Sequence, residues 1–178
     1  MKAQYNEKFT KALDSIKEHI KGKHLSNATI ENFFNYDNHE TTKEWLKQNV
    51  PNINTDLLFN DEKRYDQDAI DEYTKLKAIN YFFYYAINST IDRKYKTECF
   101  LINGTFNIME NPYFMDLVEY YELNNIVITT EAKCNNVIAF LNHGYTATRC
   151  NIDLVSTWGL ELNMYGEHIY GTAILLQK

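Results

Sequence analysis

Nucleophilic catalysis requires a serine, cysteine or threonine side chain beside a base, and this sequence offers one such pair at short range. Cys134 and His143 lie close together in the chain, while none of the four serines lies in a GxSxG motif. A thiol with an imidazole could support hydrolysis. A cysteine in a helix of Asn and Ala residues is more often a small buried side chain, which is the alternative explanation for Cys134.

A second candidate for proton transfer lies near the end of the sequence. His168 could act as a general acid or base, with Glu161 as the carboxylate that orients it. Glu167 cannot take that role, because adjacent residues of a strand point to opposite faces. A small hydrolase that uses His143 or His168 with a nearby acid is therefore one function that the sequence leaves open.

Metal and nucleotide sites are not expected. The sequence has no HExxH or CxxC motif, and Cys134, His143 and Cys150 lack a fourth zinc ligand at a suitable spacing. It also has no GxGxxG and no GxxxxGK[ST] motif, so we expect no cofactor. No segment approaches the roughly 18 apolar residues of a membrane span, and the first residues do not form a signal peptide. These features predict a cytoplasmic protein whose cysteines, including Cys99, are reduced.

Charge is the stronger functional signal. The chain has 24 acidic and 18 basic residues, with a net charge of −6. Seven acids lie between Asp56 and Glu72, against Lys63 and Arg64. This excess predicts a surface that binds a basic protein, although a solvated face with ordinary helix-start acids is the alternative. Nucleic-acid binding is not expected, since acids repel phosphates, except through a Lys-rich helix over 3–21.

The first half of the chain has the periodicity of helices. The predicted helix 3–21 is amphipathic and should dock on the core. The longest predicted helix covers 67–89; its stripe includes Ile70 and Tyr73, and its second half is apolar on nearly all sides, as in a central helix. Shorter elements complete this half: a helix over 27–35, a helix from a capping box at Thr41–Glu44 that ends before Pro51, and a loop over 51–66.

The second half has the pattern of strands. Asn103-Gly104 between alternating runs over 95–102 and 105–109 predicts a hairpin whose turn requires positive φ. Asn111-Pro112 should open a helix as N-cap and first helical residue. The remaining predictions are strands at 126–129, 145–154, 157–165 and 168–176, and a helix over 131–142 with a strand pair as its alternative. Together they predict a single α+β domain over 1–178, with a helix-rich N-terminal half packed on a mostly antiparallel C-terminal sheet of five or six strands.

In size, acidity and aromatic content the chain resembles the bacterial immunity proteins of polymorphic toxin systems, such as contact-dependent inhibition. This resemblance implies a non-enzymatic toxin inhibitor that binds a cognate basic, nuclease-like toxin and covers its active site or substrate surface. Strand addition at an exposed sheet edge is another mode of binding. The residues expected to contact the toxin are acids and aromatic anchors, namely Asp66, Asp68, Asp71, Glu72, Trp158, Glu161, Tyr165 and Glu167.

Overall fold

Helices fill the first part of the chain and a sheet fills the last part. The computed structural model describes residues 5–34, 39–90, 100–102, 104, 106–129, 134–154 and 169–178. These residues form seven α-helices and four strands, so the α+β class is confirmed. The helices are α1 (Glu7–His19), α2 (Asn27–Phe34), α3 (His39–Asn49), α4 (Thr55–Leu58), α5 (Gln67–Thr90), α6 (Tyr113–Tyr120) and α7 (Cys134–Asn142); the strands are β1 (Phe100–Ile102), β2 (Asn125–Thr129), β3 (Thr146–Leu154) and β4 (Ile169–Gln177).

The chain packs as two compact units. Among the described residues, one comprises 5–34, 39–84 and 110–122, and the other comprises 85–90, 100–102, 104, 106–109, 123–129, 134–154 and 169–178. The first contains α1 to α4, most of α5, and α6; the second contains the sheet and α7. A single domain over 1–178 stays a prediction.

Helix α1 begins at a side-chain cap. The Asn6 carboxamide accepts a hydrogen bond from the backbone amide of Phe9 at 2.8 Å, which satisfies one of the free amides of the first turn. Phe9, Ala12, Leu13 and Ile16 are buried along one face. The predicted amphipathic helix is therefore confirmed, but it starts at Glu7 because Asn6 takes the capping position.

Helix α5 supplies the centre of the helical unit. Phe82 and Phe83 are both fully buried, and Phe82 packs against Phe9 and Tyr121 with ring centroids 5.7 and 5.8 Å apart. The central position of its apolar half is thus confirmed. At its start, however, the buried line runs through Ala69, Glu72 and Leu76 rather than through the predicted stripe.

The region from α3 to α5 differs from the sequence-based expectation. His39 is already helical, so Thr41 lies inside α3 and the predicted capping box is wrong. The expected loop over 51–66 contains α4 and a 3-10 helix at Asp61–Lys63. Asn54 and Asn60 accept hydrogen bonds from the amides of Leu57 and Glu62, both at 3.1 Å. Their side chains begin short helices here, whereas asparagine is equally typical of loops.

Helix α6 begins at Tyr113, one residue later than expected. Pro112 takes the capping position, and no side chain caps the helix. The Asn111 side chain does not cap the helix; its NH2 group is directed to α5 and donates a hydrogen bond to the carbonyl of Thr74 at 2.7 Å. Asn111 is only 5% exposed, so a tertiary contact determines its conformation.

The sheet has the order β1-β2-β4-β3. β1 pairs in parallel with β2, and β4 pairs antiparallel with both β2 and β3. The expected sheet of five or six mostly antiparallel strands is therefore wrong, because the described residues form one mixed sheet of four strands. The predicted apolar run of the last strand is confirmed as central, since β4 lies between two neighbours. The predicted strand at 157–165 lies outside the described residues.

The predicted hairpin at Asn103-Gly104 is also wrong. The described residues of the run after it, beginning with Phe106, form coil and turn rather than a strand. Two of their backbone groups are taken by a side chain: Asn136 accepts from the amide of Ile108 at 3.0 Å and donates to the carbonyl of Phe106 at 2.8 Å. A Cβ at Gly104 would clash with the Tyr85 hydroxyl, so the glycine is required for space.

The helix predicted over 131–142 is confirmed for the described residues of that range. α7 covers Cys134–Asn142, which excludes the alternative strand pair for those residues. Gly144, with φ of 85°, ends the turn after it, and Phe140 is fully buried beneath Tyr145 with ring centroids 5.2 Å apart. Leu101, Val127 and Ala173 form a buried cluster on the sheet.

Candidate protein-binding surface

Exposed carboxylates are concentrated between α4 and the start of α5. We call this region the acidic surface and define it by the exposed residues Asp56, Asp61, Glu62, Asp66, Asp68 and Asp71. The asparagine caps of the two short helices and the first turn of α5 hold its backbone. Acids in the first turn also stabilise a helix through its dipole, so Asp68 has a local structural role as well.

Apolar side chains are interleaved with these acids. Six large hydrophobic side chains are strongly exposed among the described residues, and three of them lie in the acidic surface: Tyr65 at 77%, Tyr73 at 47% and Ile70 at 43%. Asp66, Ile70 and Tyr73 have the i, i+4, i+7 spacing that places residues on one face of a helix. The backbone amide of Ile70 donates a hydrogen bond to the backbone carbonyl of Asp66 at 3.0 Å, as in the first turn of a helix. The start of α5 therefore presents an apolar face bordered by carboxylates.

Tyr65 is held in place by its neighbour. The Arg64 guanidinium lies 4.7 Å from the centroid of the Tyr65 ring and donates a hydrogen bond to its hydroxyl at 2.7 Å. The ring is thus restrained before any partner binds, which lowers the entropic cost of using it as a contact.

Glu72 is placed differently from the other predicted acids. It is only 7% exposed, and its carboxylate accepts hydrogen bonds from the backbone amide of Asn54 and the ammonium of Lys75, both at 2.9 Å. Lys75 also donates to the carbonyl of Asn52 at 2.8 Å. Glu72 therefore fastens the 52–54 loop to α5, while Asp66, Asp68 and Asp71 remain exposed.

The other predicted contact residues lie outside the described residues, between β3 and β4; they are Trp158, Glu161, Tyr165 and Glu167. His168 lies in the same segment, so its predicted role as an acid or base stays a prediction.

The proposed nucleophile and base lie at the two ends of α7. Cys134 begins the helix, and its side chain is outside the described part of the structure. His143 is half-buried in the turn that follows, with its amide donating to the carbonyl of Phe140 at 3.0 Å.

Among the residues whose positions are described, no three His, Cys, Asp or Glu side chains are grouped to hold a metal ion. No described helix has the length and apolarity to cross a membrane.

Sequence patterns did not predict one of the openings in the helical unit. A cleft of about 820 Å³, which we call the Lys8 cleft, is lined by residues of α1, α3 and the end of α6. The Lys8 ammonium lies 3.5 Å above the ring of Tyr120, and the Trp45 indole donates to the Ser15 hydroxyl at 2.7 Å. The helical spacing of Lys8, Lys11 and Ser15 was visible in the sequence, but nothing in it identified the opposite wall.

A smaller cleft continues from the same pair of residues. This Phe33 cleft, of about 500 Å³, is lined by Ser15 and Trp45 together with His19, Phe33 and Thr42, among others. Ser15 and Trp45 line both openings, so the two clefts are adjacent at this hydrogen-bonded pair. We call the two adjacent clefts together the Trp45 groove.

Comparison with known proteins gives no match to a family model, to a curated protein or to a solved structure.

Proposed function

We propose that this chain is a cytoplasmic, non-enzymatic protein that binds a basic protein partner through the acidic surface. The partner that fits best is a cognate nuclease-like toxin, which the chain would neutralise as an immunity protein does. The observation that carries this proposal is the exposure of Tyr65, Ile70 and Tyr73 among carboxylates. Interface energy is concentrated in a few large apolar or aromatic residues, while the charges around them set orientation and association rate.

Electrostatics favour a basic protein over a nucleic acid. The net charge of −6 and the exposed carboxylates repel a phosphate backbone, and they attract the basic groups with which a nuclease holds its own substrate. An acidic surface can therefore compete for a nuclease by covering the groups that bind nucleic acid.

The experiment that tests this proposal compares the proteins captured by the unchanged chain with those captured by a variant of the acidic surface. The tagged chain is used to capture partners from the lysate of the cells that produce it, at low and high salt. The same capture is done with Asp66→Asn/Asp68→Asn/Asp71→Asn. We expect one basic protein to be retained by the unchanged chain and lost by the triple variant, with binding that weakens as salt rises.

A matched variant controls for net charge. Asp14→Asn/Glu31→Gln/Glu40→Gln neutralises three exposed acids elsewhere and should retain the partner. Equal loss in both triple variants would show that overall charge, not the acidic surface, holds the partner. The captured protein is then expressed alone and with the chain, and unchanged toxicity in the presence of the chain would contradict the immunity function.

A second pair of variants tests the apolar face without changing charge. Ile70 and Ile138 are each 43% exposed, but Ile70 lies in the acidic surface and Ile138 lies on α7. Ile70→Ala should weaken partner binding by about 1–2 kcal/mol, or roughly 5- to 30-fold in Kd, whereas Ile138→Ala should leave Kd unchanged. Titration calorimetry with the captured partner measures both values, and an equal effect of the two substitutions would exclude Ile70 as a contact.

A further inference from the structure

The Trp45 groove has the length of a short peptide. Residues of α1 line it from Glu7, in the Lys8 cleft, to His19, in the Phe33 cleft. At 1.5 Å per residue this part of the helix is about 18 Å long. An extended chain rises about 3.3 Å per residue, so the groove matches roughly five residues.

The two ends of the groove differ in chemistry. At one end the rings of His19, Phe33 and Trp45 pack edge to face, with centroids 5.0 Å apart for His19 and Phe33 and 5.4 Å apart for Phe33 and Trp45. At the other end Tyr120 presents a ring face beside Glu119 and Glu122. The first end suits an apolar side chain, and the second suits a cation.

The Tyr120 face already holds a cation of the chain itself. Lys8 lies 3.5 Å above the ring centroid and forms no ion pair among the described residues. Lys11, by contrast, bonds to Glu7 at 2.7 Å, and this hydrogen bond lowers the pKa of the Glu7 carboxyl below its ordinary value. Lys8 is therefore the lysine of this cleft that a competing cation displaces without breaking an ion pair.

We propose that the Trp45 groove binds an extended segment of a basic partner protein. An apolar side chain of that segment packs against Phe33 and Trp45, and an arginine or lysine four residues away takes the place of Lys8 over Tyr120. This inference rests on the proposed function for the basic nature of the partner, and it adds a second contact site on the same helical unit.

The probe is the synthetic peptide acetyl-Leu-Gly-Gly-Gly-Arg-amide, whose terminal side chains are about 13 Å apart when extended. Binding to the full chain is followed by the NMR signal of the Trp45 indole N–H, which is assigned with Trp158→Phe. We expect this signal to shift and saturate. A peptide with Glu in place of Arg should bind more weakly, because it brings a carboxylate to Glu119 and Glu122.

Removal of the resident lysine gives the decisive comparison. Lys8→Met should lower the Kd of the Arg peptide about two- to fivefold, because the arginine of the peptide no longer competes with Lys8 for the Tyr120 ring. Lys17→Met makes the same change of charge on α1 outside both clefts, and should tighten it less than about twofold. Equal effects of the two variants, equal affinity of the Arg and Glu peptides, or no shift up to about 10 mM peptide would each overturn the proposal.

The outcome separates this site from the acidic surface. Asp66→Asn/Asp68→Asn/Asp71→Asn should bind the peptide as the unchanged chain does. Failure of the peptide experiment while that triple variant still loses the captured partner would refute the groove alone. Peptide binding without any captured partner would refute the acidic surface alone.

Discussion

Alkaline pH should destabilise this protein through two buried tyrosines, Tyr113 at the start of α6 and Tyr121 directly after it. Their hydroxyls donate hydrogen bonds to the carbonyls of Pro51 and Asn49, respectively. Asn49 is the last residue of α3, so Tyr121 satisfies one of the carbonyls that a helix end leaves without a helical partner. Burial raises the pKa of both phenols well above the ordinary value of 10.0. The nearby carboxylate of Asp116 adds to the shift of Tyr113.

The sign and size of the effect follow from linkage. A group whose pKa is higher in the folded state contributes its full stability below the unfolded value, which is about 10 for tyrosine. Above that pH the unfolded chain releases the proton first, and the contribution is lost until the folded pKa is reached. Each such tyrosine costs about 1.4 kcal/mol per pH unit in this interval, so the two together cost about 2.7 kcal/mol per unit. Because domains are stable by about 5–15 kcal/mol, 1.5 units above pH 10 should remove a large part of the free energy of unfolding.

Urea unfolding followed by circular dichroism, from pH 8 to pH 11.5, measures this slope. Tyr121→Phe should lower the free energy of unfolding by about 1 kcal/mol at pH 8, because Asn49 loses its donor, and should reduce the slope above pH 10 by about 1.4 kcal/mol per pH unit. Tyr65→Phe changes a tyrosine that is 77% exposed and should leave the slope as it is. The reasoning is refuted if the slope of Tyr121→Phe equals that of the unchanged chain.

Three further substitutions test single contacts by urea unfolding near neutral pH. Asn136→Ala should lower the free energy of unfolding by about 2–4 kcal/mol, since it leaves a buried amide and a buried carbonyl unpaired. The neighbouring exposed residue serves as the control, and Asn135→Ala should lower it by less than about 0.5 kcal/mol. Similar values for the two variants would show that the Asn136 carboxamide does not hold the backbone of residues 106–108. Gly104→Ala should lower the free energy of unfolding by about 1–3 kcal/mol through the clash with Tyr85, and combining it with Tyr85→Phe should recover part of this loss. If the effects of the two substitutions simply add in the double variant, the clash is excluded. Glu72→Ala should cost about 1–3 kcal/mol because it frees a loop amide and a lysine; a loss below about 0.5 kcal/mol would mean that the loop is held by other contacts.

Elements that follow from local periodicity could be predicted from the sequence. The long helix α5 and the apolar strand β4 are examples, because burial on many sides leaves a continuous apolar run. The face of α5 at its start could not be assigned in the same way. Ile70 and Tyr73 are more apolar than Glu72, yet Glu72 turns inward because a loop amide and a lysine satisfy its charge. The loop amide belongs to Asn54, which lies 18 residues before Glu72, and no periodicity shows this contact.

The sheet and the groove were missed for a related reason. Asn103-Gly104 has the pattern of a hairpin turn, but here the glycine makes room for a tyrosine ring, and the following backbone is bonded by Asn136. The Trp45 groove likewise arises where separate helices meet, so its walls are not neighbours in the sequence. Exposure of Asp66, Asp68 and Asp71 could be expected from the sequence, because charged side chains are mostly exposed, whereas the burial of Glu72 could not.

The two hydrogen bonds of Asn136 have a consequence for self-association. Phe106 and Ile108 belong to an apolar run that alternates like a strand, and a free run of this kind is a template for aggregation. The carbonyl of one and the amide of the other are the groups with which an added strand would bond. In the folded chain the Asn136 carboxamide occupies both, so neither is available to a second copy of the chain. Loss of this single amide group should therefore make the folded chain precipitate at temperatures below its unfolding transition.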